Sequence, residues 1–215
     1  MNYTMSANLD YKNFVPSLSR TDTKTMTIQD IQKEVDEICV WFDQMWPMDK
    51  SMVDKHIPVS WMKRSSAKSV GRAYRRRIGG VYKGVYTYTI ELNRELLTAM
   101  NPMGFHSTIL HECLHCVESV NRDGWSHTGL WKERAIKLSN ITPFDIKRTV
   151  QRDEVTPEYQ KILMSKYKYN IVCDCGWNCP RQRMSKAVKE IASGKPYGYY
   201  CPVCGSRNLK VINLV

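Results

Sequence analysis

The sequence predicts an α+β protein, with helices packed on a small antiparallel sheet and a small cysteine-bearing module after it. Three observations lead there. Apolar residues recur at steps of three and four in one stretch and at steps of two in another, and five of the eight cysteines fall within the last 43 residues. The 215 residues are enough for one medium domain with its own core plus a small module.

Residues 1–25 are polar with little periodicity and are expected to form a flexible tail. Thr27 and Asp30 have the spacing of a capping box, with Asp in place of the usual Glu. Ile28, Ile31, Val35, Ile38, Phe42 and Met45 then place one apolar stripe on a helix, which Pro47 should stop. Tyr86, Tyr88, Ile90 and Leu92 alternate with Val85, Thr87, Thr89 and Glu91, the pattern of a half-buried strand. Weaker strands are expected around Ile57–Met62 and Val70–Arg76, with turns at Gly79-Gly80 and Gly84, together a small antiparallel meander. Helical pattern resumes from Ser107 to about Val120 and again near Leu130–Leu138. Thr142-Pro143 and Thr156-Pro157 each resemble an N-cap followed by proline at the first helical position. After Lys166 the composition shifts, giving three expected parts: 1–25, 26–165 and 166–215.

Composition narrows the function. Charged residues at 25% and hydrophobic residues at 42% describe a globular chain. No stretch is long and apolar enough for a bilayer, and residues 1–20 lack the apolar core of a secretory signal. A cytoplasmic protein, monomeric and without a membrane partner, is expected. In a reducing compartment clustered cysteines are metal ligands more often than disulfides. The net charge of +11 is concentrated: residues 166–215 carry nine Lys/Arg against two Asp/Glu, and residues 63–83 carry eight and no acid. Such clusters suit a polyanion, DNA being the commonest, with Arg75, Arg76, Arg77, Arg181 and Arg183 as candidate contacts; a solvated basic face is the plain alternative.

The chemistry centres on His111-Glu112-Cys113-Leu114-His115. Two histidines four apart on a helix project from nearly one face, as two ligands of one zinc require. Glu112 is rotated off the ligand direction, so it can take a proton from a water at the metal and act as general base. A catalytic zinc usually has a third protein ligand and an open position. The metzincin spacing would need Gly at 118 and His at 121, but Glu118 and Asn121 stand there. His127, beyond the turn Asp123-Gly124-Trp125, is the preferred third ligand, with Glu133 the alternative. His106 and His56 read as structural or surface histidines. Near the C-terminus, Cys201-Pro202-Val203-Cys204-Gly205 has the form of a zinc knuckle. Its partner pair is Cys173 and Cys175, or Cys175 and Cys179, and four thiolates would close a structural zinc site.

These features together resemble the SprT-like family, over roughly residues 27–213. The likeness rests on His111-Glu112-x-x-His115, on His127 followed four residues later by Trp131, and on a C-terminal ribbon. The ribbon shares the short Cys173-x-Cys175 pair, the basic stretch Arg181–Lys189 and Tyr199-Tyr200-Cys201-x-x-Cys204-Gly205. Family members usually carry glycine directly after the third histidine; here Thr128 precedes Gly129. The resemblance implies a zincin-like metallopeptidase domain followed by a zinc ribbon, one catalytic and one structural zinc, and cleavage of proteins bound or crosslinked to DNA. It also implies that the strand before the active-site helix borders the cleft as an edge strand. That strand is Val85–Leu92, with Tyr86 and Tyr88 as candidate substrate contacts. The rival expectation is a nucleic-acid-binding or assembly protein that keeps the fold without proteolysis.

Overall fold

The computed structural model describes residues 11–46, 56–64, 69–78, 85–117, 126–194 and 198–214. Pro47, the expected glycine turns at 79–80 and 84, residues 118–120 at the expected helix end, the expected turn at 123–125 and residues 1–10 of the expected tail lie outside them. The chain divides into two compact units, Met1–Tyr159 and Gln160–Val215.

In the first unit α1 (Tyr11–Phe14) and a 3₁₀ turn (Pro16–Ser19) precede the long helix α2 (Ile28–Met45). The Thr27–Asp30 capping box is present in both directions, and α2 ends at Trp46. Residues 11–25, expected as tail, are instead packed: Val15, Leu18 and Thr23 are buried, and Ser17 donates from its backbone N and its Oγ to Glu37. These anchors are too irregularly spaced to register as a periodic element.

The sheet contains β1 (Val59–Trp61), β2 (Gly71–Ile78) and β3 (Val85–Leu92) in the order β1-β3-β2. β2 and β3 form the expected antiparallel pair, but β1 runs parallel to β3, so the sheet is mixed and not a meander. β3 is therefore the central strand, which corrects the expectation that it borders the cleft as an edge. Its alternation reflects two faces of the sheet; it carries no information about neighbours across the sheet. Tyr88 is buried on this central strand opposite Arg75, and Tyr86 pairs with Arg77.

After α3 (Arg94–Thr98) comes α4 (Pro102–His115), which starts five residues before the expected Ser107. Asn101 caps it, its side chain accepting from Gly104 N at 2.9 Å, and Pro102 stands in the first turn. Phe105, Ile109, Leu110, Cys113 and Leu114 are buried, and α4 packs against α2, β2 and α5 (Gly129–Ile141), so it is the central helix. Thr142 does not start a helix; it closes α5, its hydroxyl donating to the Leu138 carbonyl at 2.7 Å. Thr156 does begin one, α6 (Pro157–Ser165), accepting from Tyr159 N at 3.1 Å.

The second unit contains β4 (Tyr169–Cys173), β5 (Asn178–Arg181), α7 (Lys186–Ala192) and β6 (Leu209–Asn213). Its sheet has the order β5-β4-β6 and is antiparallel throughout. Ile171, Val188, Ile191 and Leu209 form its small core with Cys173 and Cys201. Among the described residues no helix is long and apolar enough to cross a membrane.

Candidate metal centre and active site

Helix geometry stacks His111 and His115 one turn apart near the end of α4, and the chain returns His127 just before α5. The three Nε2 atoms form a triangle with sides of 3.0, 3.1 and 3.2 Å. Two Zn–N bonds of about 2.0–2.1 Å at a tetrahedral angle would hold their nitrogens about 3.3–3.4 Å apart. The triangle is thus close to one face of a zinc coordination tetrahedron. His111 Nδ1 lies 2.8 Å from the Lys147 carbonyl, which can only accept, so the proton sits on Nδ1 and the Nε2 lone pair faces the triangle.

Electrostatics agree with three neutral, ligand-competent imidazoles. Burial, with the charges of the other two histidines, pushes His115 down to about 3. Burial likewise pushes His111 down to about 4, and His127 is lowered by burial and by the charge of Arg148. Trp131 walls the cluster, its ring centroid 4.9, 5.5 and 4.6 Å from those of His111, His115 and His127. Glu133, two residues on, is exposed and outside the group, so the geometry selects His127 from the two candidates.

Glu112 is 6% exposed and lines the same cavity, of about 530 Å³, as the three histidines. Burial pushes its carboxyl up to about 8, opposed by a hydrogen bond from the Ala73 backbone and by the charge of Arg72. β2 supplies one wall of the cavity, from Gly71 to Tyr74, and the segment Asp145–Val150 another. The strand at the cleft is therefore β2, and Tyr88 does not line it, while the Tyr86 side chain lies outside the described residues. Contributions from the Lys147 carbonyl and the Ala73 N–H carry no residue-type signature and were not legible in the sequence.

Cys173, Cys175, Cys201 and Cys204 form the second cluster, all four sulfurs lying within 4.8 Å of one another. The Cys173–Cys204 and Cys175–Cys201 sulfurs are each 3.6 Å apart, near the separation of about 3.8 Å set by Zn–S bonds of about 2.3 Å. Cys179 sits in β5 opposite Ile171 and is not in the group. Two turns bring the thiols together: Gly176 N donates to Cys173 O, and Gly205 N to Cys201 O. Gly176 and Gly205 have φ of 90° and 72°, which side-chain-bearing residues rarely adopt. Both clusters are compatible with zinc.

On β2 the basic candidates Arg75 and Arg76 do not share one face, and the Arg77 side chain lies outside the described residues. On β2, Arg75 shares the sheet face of the buried Tyr88, whereas Arg76 is exposed on the opposite face with Arg72 and Tyr74. Arg72 is engaged by Glu91 at 3.6 Å and lies 5.6 Å from the Tyr74 ring centroid. In the second unit Arg181 and Arg183 are both exposed.

The model of the SprT-like family matches residues 37–152, more than half of the chain and including all three histidines. The chain belongs to the SprT-like family. The family is metallopeptidase-related, which fits a His₃ cluster beside a buried carboxylate. The second unit, with its cysteine cluster, lies outside the matched SprT-like region. Comparison with curated proteins gave no match, and comparison with solved structures gave none either.

Proposed function

We propose that this SprT-like protein is a zinc-dependent endopeptidase with a zincin-like catalytic domain, acting on proteins bound or crosslinked to DNA. The observation that carries the peptidase reading is the Nε2 triangle with Glu112 on the wall of the same cleft. His111, His115 and His127 hold the catalytic ion, while Cys173, Cys175, Cys201 and Cys204 hold a structural one in a zinc ribbon. A bound zinc supplies Lewis acidity, polarising the scissile carbonyl and lowering the pKa of water toward about 7.

The chain's own groups do the rest. Glu112 takes a proton from the attacking water as the C–O bond forms, then delivers it to the amide nitrogen as the C–N bond breaks. The Ala73 N–H holds that carboxylate in place, and the Lys147 carbonyl fixes the His111 ring. The outer edge of β2 aligns an extended peptide by strand addition, the role first expected of β3. Exposed Arg76 on one unit and Arg181 and Arg183 on the other support the DNA part of the reading. Cysteines gathered as metal ligands support an intracellular site of action.

The test is proteolysis of a DNA-bound basic protein by wild type and Glu112→Gln, with and without DNA. Fragments are expected from wild type only, in greater yield with DNA present. Equal fragments from Glu112→Gln would refute the peptidase reading. A cellular role preserved in Glu112→Gln would favour the non-proteolytic nucleic-acid-binding alternative.

A further inference from the structure

The helix-facing side of β2 holds an unexplained glycine. Gly71 lies within the strand, paired in register with Leu92, and is not among the glycines with positive φ. Its backbone therefore does not need glycine; its surroundings do. A Cβ at this position would stand 2.7 Å from Cγ, 2.7 Å from Oε1 and 3.0 Å from Cδ of Glu112. Those contacts involve the middle of the Glu112 side chain, so rotating its tip alone cannot relieve them. Two residues on, Ala73 presents the next side chain on the same face, and its N–H donates to the Glu112 carboxylate. The strand thus offers no side chain, then a methyl group, where it passes the glutamate.

We infer that Gly71 is a positioning residue for Glu112: the missing side chain lets β2 lie flat against the glutamate and holds its carboxylate on the Ala73 N–H at the cleft wall. This rests on the reading of Glu112 as the base. Any side chain at 71 displaces the carboxylate, and displacements of about 1 Å at a reacting group cost up to about 10²-fold in rate. The three atoms nearest an added Cβ all belong to Glu112 and none to an imidazole, so the histidine triangle should be left intact.

The test compares wild type, Gly71→Ala, Glu112→Ala and the double variant as full-length, zinc-loaded proteins. Gly71→Ala should lower kcat for a peptide substrate by roughly 10- to 100-fold with KM and bound zinc per chain unchanged. It should also lower the thermal unfolding midpoint in the wild-type background by several degrees, and by almost nothing where Glu112 is already alanine. Should Gly71→Ala fail to fold, recovery of folding in the double variant makes the same point. An equal loss of midpoint in both backgrounds, or an unchanged kcat, would overturn the proposal. Cleavage retained by Glu112→Gln would instead remove the parent reading, while the unfolding cycle would still decide whether Gly71 and Glu112 are in contact.

Discussion

The histidine and cysteine clusters bring their ligand atoms comparably close, with nitrogens 3.0–3.2 Å and paired sulfurs 3.6 Å apart, but on different foundations. His111 and His115 stand on α4, whose apolar side is buried among α2, β2 and α5, and His127 stands just before α5. The cysteines stand on two glycine turns over a core of few side chains, chiefly Ile171, Val188, Ile191 and Leu209. A metal at the first site would be added to a fold that already exists. A metal at the second would be part of what makes the fold.

That contrast is broken most directly by chelation. Structural zinc contributes on the order of 10–16 kcal/mol to small zinc-binding modules, so metal removal should abolish amide protection in 160–215 while leaving α2 and α4 protected. Cys201→Ser should reproduce this, and His115→Ala should not. Hydrogen exchange read by mass spectrometry would show it, and simultaneous loss in both units would erase the distinction.

The next effect is specific to the first unit. His106, on α4, places Nδ1 2.8 Å from Glu34 Oε1 and Nε2 2.9 Å from the Arg20 carbonyl, with both side chains buried. Burial works to lower the His106 pKa, but the Glu34 carboxylate outweighs it and the net shift is upward. Burial likewise raises Glu34, so the pair holds a proton between its members. Glu34→Ala should cost about 3–5 kcal/mol by stranding the buried partner. A raised folded-state pKa stabilises below the unfolded value and is lost as pH climbs through the folded one. Wild-type stability should therefore decline as pH rises above the ordinary imidazole value of 6.5, and Glu34→Gln should flatten that decline. Urea titrations across this range would check it, and a decline running the other way would remove the shared proton.

Smaller effects follow at the periphery. Asn101→Ala removes the α4 cap and should cost about 1 kcal/mol, visible as a lower denaturation midpoint with zinc binding kept. Arg76→Ala should weaken DNA binding modestly and reduce the salt slope by about one if Arg76 contacts a phosphate. Binding that ignores salt would remove DNA from the account.

The two sites also differ in how far the sequence exposed them. His111 and His115 were legible because helical geometry turns a spacing of four into a shared face, and the cysteine knuckle because Gly205 follows Cys204. Strand order was not: alternation in Val85–Leu92 reports two faces of a sheet, while its central place depends on pairing with residues far along the chain. The same limit hid Gly71, whose meaning exists only when α4 is beside it. Thr142-Pro143 and Asn101-Pro102 share one signature, yet the first ends a helix and the second begins one, because buried neighbours decide which.

The central claim is that the histidine site is a catalytic zinc centre served by Glu112. The most direct measurement pairs bound zinc with peptide-bond cleavage in Glu112→Gln against wild type. The account predicts equal zinc at the histidine site and a loss of cleavage of at least about 10²-fold, the scale of general acid–base catalysis. Wild-type rates from Glu112→Gln at full zinc occupancy would contradict it.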